Sequence, residues 1–293
     1  MTYPGGKGTS YQQIINQIPP HLVYIEPFAG GAAVMRRKAP AVANIAVDLD
    51  FEALIALSGE AAASTIVGDG VTAVSGAALR TAVTSITAMV DAAAAPGMTM
   101  AAVSASNGDA CRHASPAISP LPSIPADIAV PDDGTWLIHA DALEFLTTYS
   151  YSGDEFVYID PPYLLAVRSS RREIYRHEFH TEQEHRQLID IAQALPCNVA
   201  LSGYWSKLYA NRLNGWRAIN WQVMTRGGVL AREWLWMNYP KPKQLHEYTY
   251  LGNNFRERER IRRKAARWVA RFAQLPTLER RAIVNQLRNE GLI

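Results

Sequence analysis

One stretch decides the fold prediction, and it reads Phe156-Val157-Tyr158-Ile159-Asp160-Pro161-Pro162-Tyr163. The apolar run 156–159 has the length and composition of a buried β-strand. Two prolines fix φ in the residues that follow Asp160, so the turn after the strand is stiff. Such a turn lies at the carboxyl edge of a sheet, where open α/β folds bind ligands. The stretch therefore predicts an α/β fold with a site at this edge.

The same turn suits chemistry on an amino group attached to a flat ring. The nitrogen of such a group is a poor nucleophile because its lone pair is delocalised into the ring. The Asp160 carboxylate and a backbone carbonyl can each accept one of its N–H bonds, which localises the lone pair on nitrogen, and Tyr163 offers a face for stacking. Asp-Pro-Pro is also an ordinary turn sequence, so its interpretation depends on a second motif.

That second motif is the segment 21–34, an apolar strand that enters a small-residue turn and is expected to open a helix. Gly30 and Gly31 let the backbone approach a ligand without a Cβ clash. The next strand, 45–47, ends at Asp48, about 20 residues after the turn, where nucleotide-binding folds read a ribose hydroxyl. Because the pattern is not Gly-x-Gly-x-x-Gly, it favours a smaller adenosine ligand over a dinucleotide.

Two further segments complete the pattern. A strand that ends at Asp141 precedes a predicted helix with Leu143 and Leu146 on one face. Asp141 is either the N-cap of this helix or an acceptor for an adenine amino group. The N-terminal run Tyr3-Pro4-Gly5-Gly6-Lys7-Gly8 is either a Gly-rich leader or a lid that brings Tyr3 and Lys7 over a ligand.

In these motifs and their order the chain resembles the DNA adenine-N6 methyltransferases of the alpha motif order. The resemblance covers roughly residues 1–50 and 136–240, and 199–203 and 232–239 look like the last strands of that fold. It implies a Rossmann-like methyltransferase sheet with helices on both faces, and S-adenosyl-L-methionine as cofactor. The implied catalytic residues are Asp160, Pro161, Pro162 and Tyr163. The implied cofactor-binding residues are Tyr3, Lys7, Glu26, Pro27, Phe28, Gly30, Gly31, Asp48, Asp141 and Asp160.

The chain departs from the family pattern in the glycine turn, because the last glycine of Phe-x-Gly-x-Gly is Ala32 here, with Gly31 just before it. Three other activities stay open. Cytosine-N4 methylation uses the same amino chemistry, although that subgroup more often has Ser at the position of Asp160. Methylation of a protein glutamine usually has Asn there, and a DNA-binding regulator with the same fold would have lost turnover.

Composition divides the 293 residues into three predicted regions. Residues 1–57 and 136–250 form the catalytic and cofactor-binding region, and 251–293 a basic helical C-terminal segment. Residues 58–135 form an insert rich in Ala, Ser, Thr, Gly and Pro in the slot where the family usually carries target recognition. This insert lacks most of the groups that read bases or grip phosphates, so it is expected to act mainly as a spacer or lid.

Charge indicates where a polyanion would bind. Residues 51–135 carry eight acidic side chains against Arg80 and Arg112, whereas 251–293 carry eleven basic side chains against four acidic ones. The expected partner is double-stranded DNA. The predicted contacts are Arg168, Arg171, Arg172, Tyr175 and Arg176 in the loop after the catalytic turn, and the helical stripe Arg256, Arg260, Arg263, Arg267 and Arg271. The loop could instead be merely solvated, and the tail could be a dimerising helical hairpin, which makes a homodimer compatible with the sequence.

Several classes of protein are disfavoured. Two distant cysteines, Cys111 and Cys197, indicate neither a disulfide framework nor a cysteine metal site, and a reducing cytoplasm is the expected location. The histidines show no His-Glu-x-x-His spacing, so no metal is expected. No apolar run reaches the length that spans a bilayer, so no membrane is expected. The expected source is bacterial or phage.

Overall fold

The computed structural model describes residues 7–8, 10–58, 66–67, 135–167, 179–225 and 228–292. Most of the predicted insert, Tyr3 and the predicted DNA-contacting loop residues 168–176 lie outside the described residues. The chain divides into two compact units. Among the described residues, one unit contains 7–8 and 21–241, and the other contains 10–20 and 242–292.

The first unit is built on one sheet of eight described strands. Their bounds are β1 Val23–Glu26, β2 Ala43–Asp48, β3 Ile66–Val67, β4 Thr135–His139, β5 Glu155–Ile159, β6 Asn198–Tyr204, β7 Arg217–Met224 and β8 Leu230–Met237. The order across the sheet is β3-β4-β2-β1-β5-β6-β8-β7. All neighbouring pairs are parallel except β6 with β8 and β7 with β8, which are antiparallel. Strand order reverses between β1 and β5, which places the ligand-binding crevice of an open α/β sheet at their carboxyl ends.

Helices cover both faces of this sheet. The helices of the first unit are α2 Phe51–Ser58, α3 Ala142–Thr148, α4 Glu182–Ala194 and α5 Lys207–Arg212, with a 3-10 turn at Leu165–Val167. On one face, Ile45 and Val47 of β2 join a buried cluster with Leu146 of α3 and Leu188 of α4. On the other face, Ala46 packs with Leu54 of α2 and Leu137 of β4. This alternation is the period of two that a strand imposes, and it confirms the predicted α/β class with helices on both faces.

The helix expected directly after the glycine turn is a wrong prediction. Residues 33–37 form hydrogen-bonded turns only, in which the Arg36 N–H donates to the Ala32 carbonyl and the Lys38 N–H to the Val34 carbonyl. Ala32 has a φ of 42°, a left-handed conformation that a helix cannot contain. Pro40 then closes the segment, because the residue before a proline is held away from helical angles.

The second unit is helical. It contains α1 Tyr11–Ile15, α6 Phe255–Ala273 and α7 Thr277–Asn289. Asn254 caps α6, since its Oδ1 accepts the Glu257 N–H at 2.9 Å. Residues 10–20 join the tail through a hydrogen bond from the His246 N–H to the Ile18 carbonyl at 2.9 Å. The two predicted tail helices and the break at Pro276 are therefore present, and neither α6 nor α7 contains a buried residue.

The central strand β1 should dominate the stability of the first unit. Ile25 is fully buried, whereas Ile55 on α2 is 41% exposed. We expect Ile25→Ala to lower the free energy of unfolding by about 2–5 kcal/mol, because it removes buried methyl groups and leaves a cavity. The matched change Ile55→Ala should cost about 1 kcal/mol or less. Urea denaturation of both variants measures this, and equal losses would contradict the assignment of β1 to the core.

Candidate functional site

The predicted acidic residues follow neighbouring strands of the sheet. Asp48 ends β2, Asp141 follows β4 and Asp160 follows β5, while the glycine turn follows β1. These four strands are adjacent and mutually parallel, in the order β4-β2-β1-β5. Their carboxyl ends lie at one edge of the sheet, so the structure brings the three acids and the glycine turn to the same edge.

The Asp160 carboxylate is held by the neighbouring strand β6. Ser202 Oγ donates to Asp160 Oδ1 at 2.7 Å, and a 3.0 Å hydrogen bond joins Ser202 Oγ to the Tyr158 hydroxyl. Parallel pairing of β5 with β6, in which Tyr158 lies opposite Ala200, sets Ser202 level with Asp160. Pro161 is buried directly after Asp160. The acidic side chain is therefore fixed on two sides by covalent and hydrogen-bonded neighbours.

Lys7 lies at the centre of a second set of contacts, which we call the Lys7 cluster: Lys7, Asp160, Tyr163 and Glu233. Lys7 Nζ is 2.6 Å from Asp160 Oδ1 and 2.9 Å from Glu233 Oε1. It also donates to the Tyr163 hydroxyl at 2.6 Å, and that hydroxyl donates to Glu233 Oε1 at 2.7 Å. Lys7 is 6% exposed and Glu233 4%. The cluster is a buried ion-paired network rather than a set of surface contacts.

Burial disfavours the charged forms of the side chains in the Lys7 cluster, and the ion pairs within the cluster favour them. Burial alone would lower the pKa of Lys7, but Asp160 and Glu233 together raise that pKa above its ordinary value. Burial raises the pKa of Asp160, while the Lys7 ammonium and the Ser202 hydroxyl act against that rise. Burial is also the main reason why the pKa of Tyr163 is raised, so its phenol stays protonated and able to donate. When both carboxylates are ionised, the cluster carries one negative charge.

Both hydrogen-bonded contacts to Asp160 that the described residues make are to Oδ1. The second oxygen, Oδ2, makes no hydrogen bond or ion pair with another described residue. The turn 160–163, which we call the acidic turn, thus presents an oriented acceptor at the edge of the sheet.

Glu233 and Ser202 were not singled out from the sequence. Glu233 lies in β8 opposite Tyr204, and Tyr204 packs against Tyr163 with ring centroids 4.6 Å apart. A weak signal was present, because Glu233 is an acid in a strand whose next four residues, 234–237, are all apolar. Its partner Lys7 lies 226 positions earlier, and no local pattern reports a contact across such a separation.

The glycine turn is tied to the tip of β2. The Gly30 N–H donates to Asp48 Oδ2 at 2.6 Å, and the Asp50 N–H donates to Asp48 Oδ1 at 2.8 Å. Gly30 has a φ of 47°, which glycine adopts at little cost. Ala32 adopts a similar angle, so the turn keeps a left-handed residue where the family pattern has its last glycine. Asp48 therefore shapes the turn, and its predicted role toward a ribose stays a prediction.

Glu26 ends β1 directly before the turn and is 3% exposed. Its Oε2 accepts from the Tyr24 hydroxyl at 3.0 Å and from the Met35 N–H at 3.2 Å. Burial raises the pKa of Glu26 to about 8, although both hydrogen bonds act against the rise. Glu26 thereby links the strand to the segment after the glycines.

Of the other predicted cofactor residues, Asp141 acts here as the N-cap of α3. Its Oδ1 accepts from the N–H groups of Leu143 and Glu144, both at 2.9 Å. The N-cap uses only one oxygen of the Asp141 carboxylate, Oδ1. The N-cap role is therefore compatible with the predicted role of Asp141 as an acceptor for an adenine amino group. Phe28 packs edge-on against Phe179, with ring centroids 5.2 Å apart.

No group of three or more metal-ligating side chains was found among the described residues. His185 is buried, and its ring nitrogens contact the Tyr209 hydroxyl at 2.7 Å and the Phe179 carbonyl at 3.1 Å. His185 therefore packs α4 against α5. Within the described part of the chain, no helix is long and apolar enough to cross a membrane.

Glu26 should make stability depend on pH. Its pKa is raised from 4.5 to about 8 on folding, so the folded state binds this proton more tightly. The resulting stabilisation is fully present below about pH 4.5 and is lost as pH rises through about 8. Gln cannot titrate, so Glu26→Gln should gain stability relative to the wild type between pH 5 and pH 8, by more than about 1 kcal/mol.

Urea denaturation of both proteins at pH 5, 6.5 and 8 measures this difference. Glu144→Gln at an exposed position is the control for the loss of one negative charge. A difference between Glu26→Gln and the wild type that stays constant with pH would show that Glu26 is not the titrating group.

The Lys7 cluster should behave as a coupled unit. We expect Glu233→Gln and Tyr163→Phe to be non-additive by about 0.5–3 kcal/mol in a double-mutant cycle, because each change removes part of one shared network. The free energy of unfolding is measured for the wild type, both single variants and the double variant. Glu233→Gln combined with Tyr151→Phe, which lies before β5 at the other end of that strand, should add within about 0.5 kcal/mol. Additivity in both cycles would refute the network.

Comparison with known proteins finds a family model that matches part of the chain. Residues 135–220 match the family model described as D12 class N6 adenine-specific DNA methyltransferase. This segment contains Asp160–Tyr163 and Ser202, and it covers less than one third of the chain. No curated protein sequence matches the chain.

Three similar solved structures are distant in sequence. TrmK of M. capricolum in complex with S-adenosyl-homocysteine has 9% identity and a TM-score of 0.36, covering 96% of this chain and 94% of that one. A putative methyltransferase of Streptococcus mutans in complex with the same compound has 10% identity and a TM-score of 0.36, with coverages of 78% and 95%. The magnesium protoporphyrin IX methyltransferase of Synechocystis with bound S-adenosylmethionine has 10% identity and a TM-score of 0.35, with coverages of 78% and 80%.

At these identities and TM-scores the three structures carry no information about substrate. The family match, by contrast, includes the acidic turn around which the site is built. It confirms the resemblance predicted from the sequence, because segment 135–220 is similar to the D12 class of N6 adenine-specific DNA methyltransferases.

Proposed function

We propose that this protein is a site-specific DNA methyltransferase that transfers a methyl group from S-adenosylmethionine to the N6 amino group of a flipped adenine in double-stranded DNA. One observation carries the proposal. The Asp160 carboxylate is fixed at the carboxyl end of β5 by Ser202 and Lys7 through Oδ1, and Oδ2 stays available as an acceptor. The match of residues 135–220 to the adenine-N6 family supports the choice of base.

The residues at the sheet edge fit the cofactor. Gly30 and Gly31 follow β1 at the point where strand order reverses, and Asp48 ends the next strand. The Lys7 cluster combines two carboxylates with one ammonium, which favours a cationic sulfonium group. Its proposed ligands are Tyr3, Lys7, Glu26, Pro27, Phe28, Gly30, Gly31, Asp48, Asp141 and Asp160. When bound, S-adenosylmethionine supplies an activated methyl group.

The catalytic turn would prepare the acceptor nitrogen. Asp160 Oδ2 and the Pro161 carbonyl accept the two N–H bonds of the adenine amino group, which localises its lone pair. Tyr163 provides a stacking face, and its ring is held by Tyr204 and by its hydroxyl contacts to Lys7 and Glu233. Pro162 stiffens the turn. Catalysis then consists largely of positioning and electrostatic stabilisation, without a covalent protein intermediate.

Basic residues other than those at the sheet edge would bind the DNA. Extruding a base costs a few kcal/mol, which contacts to the phosphate backbone can offset. The proposed contacts in the loop are Arg168, Arg171, Arg172, Tyr175 and Arg176, and those on α6 are Arg256, Arg260, Arg263, Arg267 and Arg271. Arg260 and Arg263 form intrahelical ion pairs with Glu257 and Glu259, and all five α6 arginines are exposed. The homodimer, the cytoplasmic location and the bacterial or phage source stay proposals.

We expect Asp160→Ala to abolish methyl transfer, because it removes the acceptor that localises the lone pair. DNA binding should stay within about threefold of the wild type, since no phosphate contact is lost. The matched control is Asp154→Ala, an exposed aspartate before β5, which should leave transfer unchanged. Transfer of a labelled methyl group and fluorescence anisotropy with duplex DNA measure the two properties.

Digestion of the methylated DNA to nucleosides identifies the base. N6-methyl-2′-deoxyadenosine is expected, and N4-methyl-2′-deoxycytidine would replace the adenine assignment with cytosine-N4 methylation. Label found in protein instead of DNA would indicate amide methylation. A wild-type protein that binds DNA but transfers no label to any of these acceptors would be a regulator that has lost turnover. Retained transfer by Asp160→Ala would remove Asp160 from its assigned role.

A further inference from the structure

The helical unit contains an open groove that the sequence did not indicate. It lies between the end of α6 and one face of α7, with a volume of about 600 Å³. The lining residues that matter here are Phe272, Thr277, Arg280, Arg281, Asn285 and Arg288. Thr277, Arg281, Asn285 and Arg288 recur at intervals of three or four positions, which puts them on one side of α7.

The three groove arginines differ from three arginines on α6 in their partners. On α6, Arg260 pairs with Glu257, and Arg262 and Arg263 pair with Glu259. Within the described ranges, Arg280, Arg281 and Arg288 form no ion pair with any carboxylate. Three cations therefore line one groove without an ion-paired carboxylate from the part of the chain that the structure describes.

Arg280 adds a second observation that points to a ligand. Its Nε is buried and has no hydrogen-bond acceptor among the described residues, while its Nη2 donates to Thr277 Oγ1 at 3.3 Å. A buried donor without an acceptor destabilises the folded state. An oxyanion in the groove would remove that destabilisation and neutralise the guanidinium groups.

We propose that this groove binds the phosphodiester backbone of duplex DNA, through Arg280, Arg281 and Arg288 with Thr277 and Asn285 as neutral donors. The inference rests on the proposed DNA substrate. A guanidinium group matches a phosphate with two parallel N–H bonds, and Thr and Asn side chains are common donors to phosphate oxygens. The excess of basic over acidic side chains in 251–293 favours a polyanion over an acidic side chain of a partner protein.

The test is the salt dependence of DNA binding. Each phosphate neutralised contributes about 0.9 to the slope of log K against log salt. Anisotropy with a labelled duplex is measured from low to high salt for the wild type and for the triple variant Arg280→Gln, Arg281→Gln, Arg288→Gln. The groove variant should flatten the slope by up to about 2.7, and the single variant Arg288→Gln by about 0.9.

The matched control lowers the net charge by the same three units at Arg186, Arg212 and Arg262. Each of these arginines pairs with a carboxylate, namely Glu182, Asp190 and Glu259 respectively. This control variant should change the slope by less than about 0.9, because none of its three arginines is a proposed phosphate contact. Circular dichroism of every variant checks that the helices are retained. Arg288→Gln keeps the proposal testable if the triple variant unfolds, because Arg288 is exposed.

Equal flattening by the groove and control variants, or no flattening by either groove variant, overturns the proposal. An equal loss of binding to an RNA duplex of the same sequence overturns the assignment to DNA. Wild-type methylation of adenine in DNA, read after digestion to nucleosides, tests the proposed function separately. Methylated adenine with an unchanged salt slope would reject the groove alone, whereas absent adenine methylation would reject the proposed function.

Discussion

The buried ammonium of Lys7 is the interaction on which the arrangement of the site depends. It contacts Asp160 after β5 and Glu233 within β8, two strands that are separated in the sheet by β6. Without this cation, two carboxylates would face each other in a buried space, and isolated charges there are strongly unfavourable. The same contact fixes the segment at Lys7 against the sheet. Stability and the geometry of the acidic turn therefore have a common origin.

The sheet supplies polar groups to the site through its period of two. On β1, Tyr24 and Glu26 are two positions apart and joined by a hydrogen bond. On β5, Tyr158 precedes Asp160 by two positions, and Ser202 of β6 bridges them. This line of polar groups runs opposite the cluster formed by Ile25, Val157 and Ile159. One face of the central strands thus builds the hydrophobic core while the other carries buried hydrogen bonds toward the carboxyl edge.

The parts of this structure that the sequence predicts are those with local signals. Apolar runs predicted strands that end at Asp48, Asp141 and Asp160. In the structure β2 ends at Asp48, β5 ends directly before Asp160 and β4 ends two residues before Asp141, and the α/β class followed. Ser202 and Glu233 were missed because their roles arise only when distant strands pair. The prediction of a helix after the glycine turn was wrong for a local reason, because Ala32 has a left-handed backbone conformation. An alanine in the sequence gives no signal of that conformation. Sequence patterns indicate the periods of helices and strands, but they do not indicate which buried charged side chains contact each other.

The proposed chemistry and the proposed DNA binding make opposite demands on charge. An edge that presents Asp48, Asp141 and the two carboxylates of the Lys7 cluster suits an amino group and a sulfonium, but it repels phosphate. Since most of the attraction of a protein for DNA comes from phosphate contacts, the cations must lie elsewhere in the chain. Among the described residues, the helical unit provides such cations, namely the exposed arginines of α6 and the groove arginines of α7, which form no ion pair with a described carboxylate. Separating the two charges along the chain lets each site keep the sign that its ligand requires.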